Sequence, residues 1–240
     1  MLRKSALITG ADRGLGLALA EALLEQNYDV FAGRFNASDQ GLEKLGKQYP
    51  GSLQLVELDV SSDESAAEAA RFLKAQSDKL DLLINNAAIL GDIHAKITDE
   101  LNYEEMKQVF NVNSLGSLRV TNAVMPMLLK SEQKLVVNIS SEAGSIENCW
   151  RESWFAYCMS KAAVNMHSAI VHNELRSRGG QVMVVHPGHV QTYMQGKLDT
   201  SGTLTPEQAA AYITALIATH HVYAGDRPAF IDYSGRRLAW

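Results

Sequence analysis

Tyr157 and Lys161 stand four residues apart in Tyr157-Cys158-Met159-Ser160-Lys161-Ala162-Ala163, within a stretch whose apolar periodicity predicts a helix. On a helix that spacing puts both side chains on one face. A free tyrosine, with a pKa of about 10, is a poor acid or base at neutral pH, but a neighbouring ammonium favours the phenolate and lowers that value. The pair can then give a proton to, or take one from, a carbonyl or alcohol oxygen. Alone the spacing carries little, because tyrosine and lysine are common on helix surfaces.

Its surroundings add weight. Sixteen residues before Tyr157 lies Ser141, in Ser140-Ser141-Glu142-Ala143-Gly144 at the end of an apolar strand, where a hydroxyl can hydrogen-bond a substrate oxygen. The preceding strand ends Asn85-Asn86-Ala87-Ala88, and the helix after it carries Asn111-Val112-Asn113-Ser114-Leu115-Gly116. Further on comes Pro187-Gly188-His189-Val190-Gln191-Thr192. Near the start, Thr9-Gly10-Ala11-Asp12-Arg13-Gly14-Leu15-Gly16 follows a short strand and enters a helix. Glycines 10, 14 and 16 allow a tight turn, admit a pyrophosphate close to the amides and present a helix N-terminus to its charge. The spacing is G-x-x-x-G-x-G, not the general G-x-G-x-x-G, so a glycine-rich turn without a ligand stays open.

The elements that must position these groups read as alternating strands and helices. Strands are expected over Ser5 to Thr9, Tyr28 to Ala32, Leu53 to Val60, Asp81 to Asn85, Lys134 to Ser140, Gln181 to His186 and Pro228 to Tyr233. Several are continuously apolar, as strands covered on both faces are, which implies a parallel sheet. Leu15, Leu19, Ala22 and Leu23, and again Ala66, Ala69, Ala70 and Leu73, recur at helical spacing. Ser61-x-x-Glu64 and Thr205-x-x-Gln208 have capping-box spacing, the second with Pro206 at the first helical position. Right-handed crossovers then wind a single-domain α/β Rossmann-type doubly wound, seven-stranded parallel sheet with helices on both faces. Residues 1–240 are expected to form one dinucleotide-binding domain, with a substrate loop at about 188–205.

At 240 residues, against about 150 per domain, the chain is one large domain or two small ones, and no Pro/Ser-rich linker divides it. With 46% hydrophobic and 20% charged residues it is an ordinary soluble globule, and its net charge of −5 argues against a nucleic-acid or anionic-membrane binder. Cys149 and Cys158 have no C-x-x-C spacing, and no apolar run suits a signal peptide or a membrane span. A cytoplasmic protein is expected. The seven histidines show no H-x-x-x-H or H-E-x-x-H spacing, so no metal site is expected. Trp150, Trp154, Phe155 and Tyr193 either line an apolar pocket or serve as core or subunit contacts.

With these motifs in this order nearly from end to end, the chain resembles the short-chain dehydrogenase/reductase family in its compact form. The ending Phe230-Ile231-Asp232-Tyr233-Ser234-Gly235 is similar to the C-factor and sniffer-like carbonyl reductase branch. The resemblance implies a homodimer or homotetramer acting on a small-molecule carbonyl or alcohol. It makes Tyr157 the catalytic acid/base and has Lys161 lower its pKa and hold the nicotinamide ribose. Ser141 then orients the substrate oxygen, and Asn113, three residues before Gly116, supports a water-linked proton relay through Lys161. Asn111 is left to cap or pack. Thr9, Gly10, Asp12, Arg13, Gly14, Leu15 and Gly16 form the cofactor turn. Asn85 and Asn86 brace the strands and, with Ala87 and Ala88, line the cofactor. Asp59 and Val60 meet the adenine, Pro187, Gly188 and Val190 also bind the cofactor, and Thr192 holds the carboxamide.

NADP(H) is the expected cofactor. NAD-specific Rossmann enzymes place an acidic residue after the second strand, but here that strand ends Ala32-Gly33-Arg34. Gly33 would leave room for a 2′-phosphate, Arg34 would grip it with a planar fork of donors, and Arg13 would approach from the other side. The alternative is that both are ordinary surface arginines, Arg13 being neutralised by Asp12.

The chain departs from the family pattern at Ala88, where the family has glycine, and in the longer gap between Ser141 and Tyr157, which brings in Cys149, Trp150 and Trp154. Two other functions compete: a non-catalytic NADP(H)-binding redox-sensing or signalling protein, and a sugar-nucleotide epimerase. The intact Ser, Tyr and Lys set argues against the first and the short region after Gly188 against the second.

Overall fold

The computed structural model describes residues 3–36, 40–194 and 196–240, so Gln195 of the expected substrate loop lies outside the described residues. Seven strands, β1 (Ser5–Ile8), β2 (Asp29–Arg34), β3 (Leu53–Glu57), β4 (Leu82–Asn85), β5 (Leu135–Ile139), β6 (Gln181–His186) and β7 (Ala229–Asp232), form one sheet. Every strand pairing is parallel and the order is β3-β2-β1-β4-β5-β6-β7. The helices between them are α1 (Gly14–Glu25), α2 (Gly41–Gln48), α3 (Asp63–Gln76), α4 (Tyr103–Phe110), α5 (Ser117–Leu128), α6 (Phe155–Arg176) and α7 (Pro206–Ala218).

The continuously apolar strands are explained by two cores. Ala6 and Ile8 of β1 face the layer of α1, α2 and α7, whereas Leu7 between them faces α3, α5 and α6. The same alternation runs through Leu135-Val136-Val137, so each strand is buried on both faces. Each fully buried Leu, Ile or Val contributes about 1.5–3 kcal/mol. Several polar groups inside are paired across elements. Asn85 donates to Asn138 Oδ1 on the neighbouring strand (2.8 Å) and to Thr121 Oγ1 on α5 (2.9 Å), and Asn138 donates to Ser168 Oγ on α6 (2.7 Å). Asn85 therefore braces the strands, as expected, but does so inside the core and away from the cleft.

Several boundaries move. β2 runs on to Arg34, because its last two residues pair with Val56 and Glu57 of β3, and β3 ends at Glu57, short of Val60. The capping box at Thr205 and Gln208 forms. That at Ser61 does not: Ser62 caps α3 by accepting from Ser65 N, while Ser61 donates to Asp59 Oδ1 through both its amide and its hydroxyl.

In a parallel sheet the strand C-termini share one edge. The chain winds outward from β1 to β3 and then returns to place β4 on the other side of β1, so the segments after β1 and β4 diverge there and leave a crevice.

Candidate active site

That crevice is a cleft of about 860 Å³ lined by the ends of β1, β4, β5 and β6 and the start of α6. At one end, Gly10, Asp12, Arg13, Gly14, Leu15 and Gly16 of the glycine turn line it. The turn is pinned from the next strand: Asn86 Nδ2 donates to the carbonyls of Thr9 and Gly10 (both 3.0 Å), and Thr9 Oγ1 accepts from Asn86 N and Ala87 N (both 3.0 Å). Thr9 thus supports the turn from within. A Cβ on Gly16 would lie 2.1 Å from Gly10 O and 2.6 Å from Asn86 Nδ2, so only glycine lets the turn and α1 approach this closely. The N-cap residue Arg13 makes no side-chain capping bond, and the first turn of α1 holds no acidic residue. A helix N-terminus in this state, opening onto a cleft, fits a pyrophosphate.

Asp59, Val60, Ala87, Ala88, Pro187, Gly188, Val190 and Thr192 all line the same cleft, as their assigned contacts require. Arg34 does not. Its Nε donates to Glu57 (2.6 Å) and its Nη1 to Glu43 (2.7 Å), one carboxylate coming from β3 and one from α2. Gly33 is packed within the sheet, where an added Cβ would meet Ile8 O and Leu58 Cδ2 at 3.0 Å, so it leaves no room for a phosphate. Among the described residues, those facing the cleft directly after β2 are Phe35 and Asn36, whose amides donate to Asp12 Oδ1 (2.9 and 3.1 Å). Arg13 lines the cleft, its guanidinium 5.5 Å above the Tyr193 ring.

At the other end stand Ser141, Tyr157 and Lys161. Tyr157 and Lys161 project from one face of α6, and Lys161 Nζ lies 5.5 Å from the centre of the Tyr157 ring. Ser141 stands beside the phenol and favours its ionised form. Burial pushes the Tyr157 pKa up to about 12, partly offset by Ser141, and pushes Lys161 down to about 8. The lowering of Tyr157 expected from Lys161 is outweighed here, because Lys161 Nζ turns to the Ile139 carbonyl (2.8 Å) and the phenol is desolvated. As placed, the Tyr157 phenol is neutral near pH 7.

Ser140 and Ser141 both border the cleft, but they are held differently. Ser140 Oγ donates to the buried Asn165 Oδ1 (2.7 Å), whereas Ser141 accepts from Ala143 N (3.1 Å) and reaches the phenol. We therefore expect Ser141→Ala to lower kcat by roughly 10²-fold, as loss of a preorganised donor does. Ser140→Ala should instead cost about 1 kcal/mol of stability with little change in kcat. Greater kinetic sensitivity at Ser140 would place the motif one residue out of register.

Asn113 sits in a π-helical turn, Asn111–Gly116, that joins α4 to α5. Its amide bonds Ile89 N (2.8 Å), Ile89 O (2.9 Å) and Ser160 Oγ (3.0 Å), and Ser160 donates to Tyr157 O. It is buried, is not part of the cleft lining and, among the described residues, makes no hydrogen bond to Lys161. Asn111 packs against Ser61 O and Arg119.

Glu142, Arg151 and His186 also line the cleft and were not singled out from the sequence. His186 had a legible signal, being the last residue of a strand whose C-terminal end opens onto the site. Of the four aromatics, Trp154 and Tyr193 line the cleft, Trp150 is largely exposed and Phe155 sits in a small separate depression beside Asp92.

A family model for short chain dehydrogenases matches residues 4–202. The chain belongs to the short chain dehydrogenase family. It is 34% identical over 201 residues to estradiol 17-beta-dehydrogenase 2 of Rattus norvegicus, covering 82% of this chain and 51% of the relative. This chain thus spans about half the length of that relative. Two solved members of the family superpose along essentially their whole length. Carbonyl reductase Sniffer of D. melanogaster has a TM-score of 0.90 at 26% identity, and the NADPH-bound carbonyl reductase from chicken fatty liver has 0.86 at 30%, each with 100% of both chains covered.

Proposed function

We propose that this protein is an NADP(H)-dependent oxidoreductase that reduces a small carbonyl compound or oxidises the matching alcohol, the whole chain acting as one dinucleotide-binding unit. The observation that carries the reading is one cleft with a helix N-terminus at one end and Ser141, Tyr157 and Lys161 at the other. When bound, the nicotinamide would supply or accept a hydride. The glycine turn and α1 would hold its pyrophosphate, Asp59 and Val60 the adenine, Lys161 the ribose and Thr192 the carboxamide. Ser141 orients the substrate oxygen. Tyr157 Oη gives that oxygen its proton during reduction and takes it back during oxidation. Similarity to the carbonyl reductase that holds NADPH supports the cofactor choice.

Oxidation of NADPH over a panel of aldehydes, ketones and quinones tests the reaction. Tight NADP(H) binding with no turnover on any of them would favour the redox-sensing alternative.

The cofactor choice has its own test. Because Arg34 is occupied by Glu43 and Glu57 while Arg13 lines the cleft, Arg13 is assigned the larger share of 2′-phosphate recognition. NADP(H) should exceed NAD(H) by at least about tenfold in kcat/KM, a difference of about 1.4 kcal/mol. The Arg13→Ala/Arg34→Ala double variant should lose most of that preference, and Arg13→Ala alone the greater part. Equal use of the two cofactors by the unaltered enzyme would refute the assignment.

A further inference from the structure

The long segment between Ser141 and Tyr157 has a definite structure. Arg151 is stacked 4.6 Å from the centre of the Trp150 ring and 5.0 Å from that of Trp154. Its Nη1 and Nη2 donate to the two oxygens of Glu142, at 3.1 and 2.5 Å, and its side chain is only 11% exposed. Trp154 in turn meets the Tyr157 ring edge-on, with centres 6.0 Å apart and planes at 74°. Glu142 directly follows Ser141, which stands beside the phenol. The path Ser141, Glu142, Arg151, Trp154, Tyr157 therefore closes on itself, and all five residues line the cleft.

We propose that the Glu142–Arg151 pair is a positioning device that holds Trp154 against the Tyr157 ring and balances the charge around its hydroxyl. The proposal rests on Tyr157 being the acid/base group. A carboxylate beside a phenol disfavours the phenolate, and a guanidinium favours it. Held in a two-bonded fork, the two charges largely cancel at Tyr157, and removing either leaves the other uncompensated. The other groups near the phenol and the fork are Cys158 and Lys161 on α6, Cys149 beside Arg151, and His186 at the end of β6, which feels both Glu142 and Arg151. His186 is kept neutral by burial, and Lys161, pushed down to about 8, is common to every variant, so the fork is the charge that differs between them.

The test is the pH profile of alcohol oxidation with saturating NADP, which needs the phenolate and so rises with pH through the Tyr157 pKa. Arg151→Met should move the rising limb to higher pH by on the order of one unit, and Glu142→Gln should move it to lower pH by a similar amount. The double variant should return close to the parent profile. Arg151→Lys, which keeps the charge without the fork, should restore the limb while leaving KM raised. Where turnover is slow, ultraviolet titration of the phenolate in the cofactor-bound protein, against the matching Tyr157→Phe variant, should give the same order. Limbs that coincide, or that move in the same direction for Arg151→Met and Glu142→Gln, overturn the proposal. A Tyr157→Phe variant that still turns over would instead defeat the acid/base reading, so the two failures are distinct.

Discussion

Tyr157→Phe should abolish carbonyl reduction and alcohol oxidation while leaving NADP(H) affinity within about twofold of the parent. Of the two tyrosines that line the cleft among the described residues, Tyr157 and Tyr193, Tyr157 is the one that stands beside Ser141 and Lys161. The substitution removes one oxygen and keeps the ring that Trp154 packs against. Stopped-flow turnover together with fluorescence titration of NADPH separates the two effects. A variant keeping more than about a tenth of kcat, a loss below about 1.4 kcal/mol of transition-state stabilisation, contradicts the assignment. The pH dependence of the parent follows from the same group. Burial holds its pKa up at about 12 before cofactor binds, so reduction, which needs the neutral phenol, should be favoured on the acid side. Oxidation, which needs the phenolate, should climb as pH rises.

Gly16→Ala is expected to have the second largest effect. The added methyl would stand 2.1 Å from Gly10 O, a backbone atom that Asn86 already holds in place. Neither can retreat without opening the turn, so the cost should lie at or beyond the top of the about 1–3 kcal/mol usual for overpacking. Cofactor affinity should fall at least about tenfold with it, because the amides at the start of α1 lose their placement. Gly46→Ala in α2 is the matched control. Its new methyl meets nothing nearer than Leu53 Cδ2 at 3.9 Å, so it should stabilise the protein by about 0.5–1 kcal/mol, as alanine does over glycine inside a helix. Thermal melts and NADP titrations on both variants check the pair. Equal behaviour of the two would mean that close backbone approach is not what requires glycine at 16.

The sequence by itself determined everything that depends on local spacing. Residues four apart on one helix share a face, and this places Lys161 with Tyr157. Strands apolar at every position must be covered twice, and this made the sheet parallel and doubly wound. A glycine turn between a strand and a helix opens onto the strand's C-terminal end, and this located the cleft. Those inferences need no knowledge of distant neighbours. Only the tertiary structure decided what each polar group meets. Arg34 looks free in the chain, yet Glu57 from the adjoining strand and Glu43 from the next helix hold its donors. Asn113 is braced by Ile89 and Ser160, which lie 24 and 47 residues away, inside a π-helical turn that no residue pattern announced. Arg151 meets Glu142, nine residues earlier, with Trp150 and Trp154 against its guanidinium. The Tyr157 pKa turned on burial more than on its nearest cation. Burial and cross-element contact are sums over segments far apart in sequence, and so they are fixed only when the whole chain has packed.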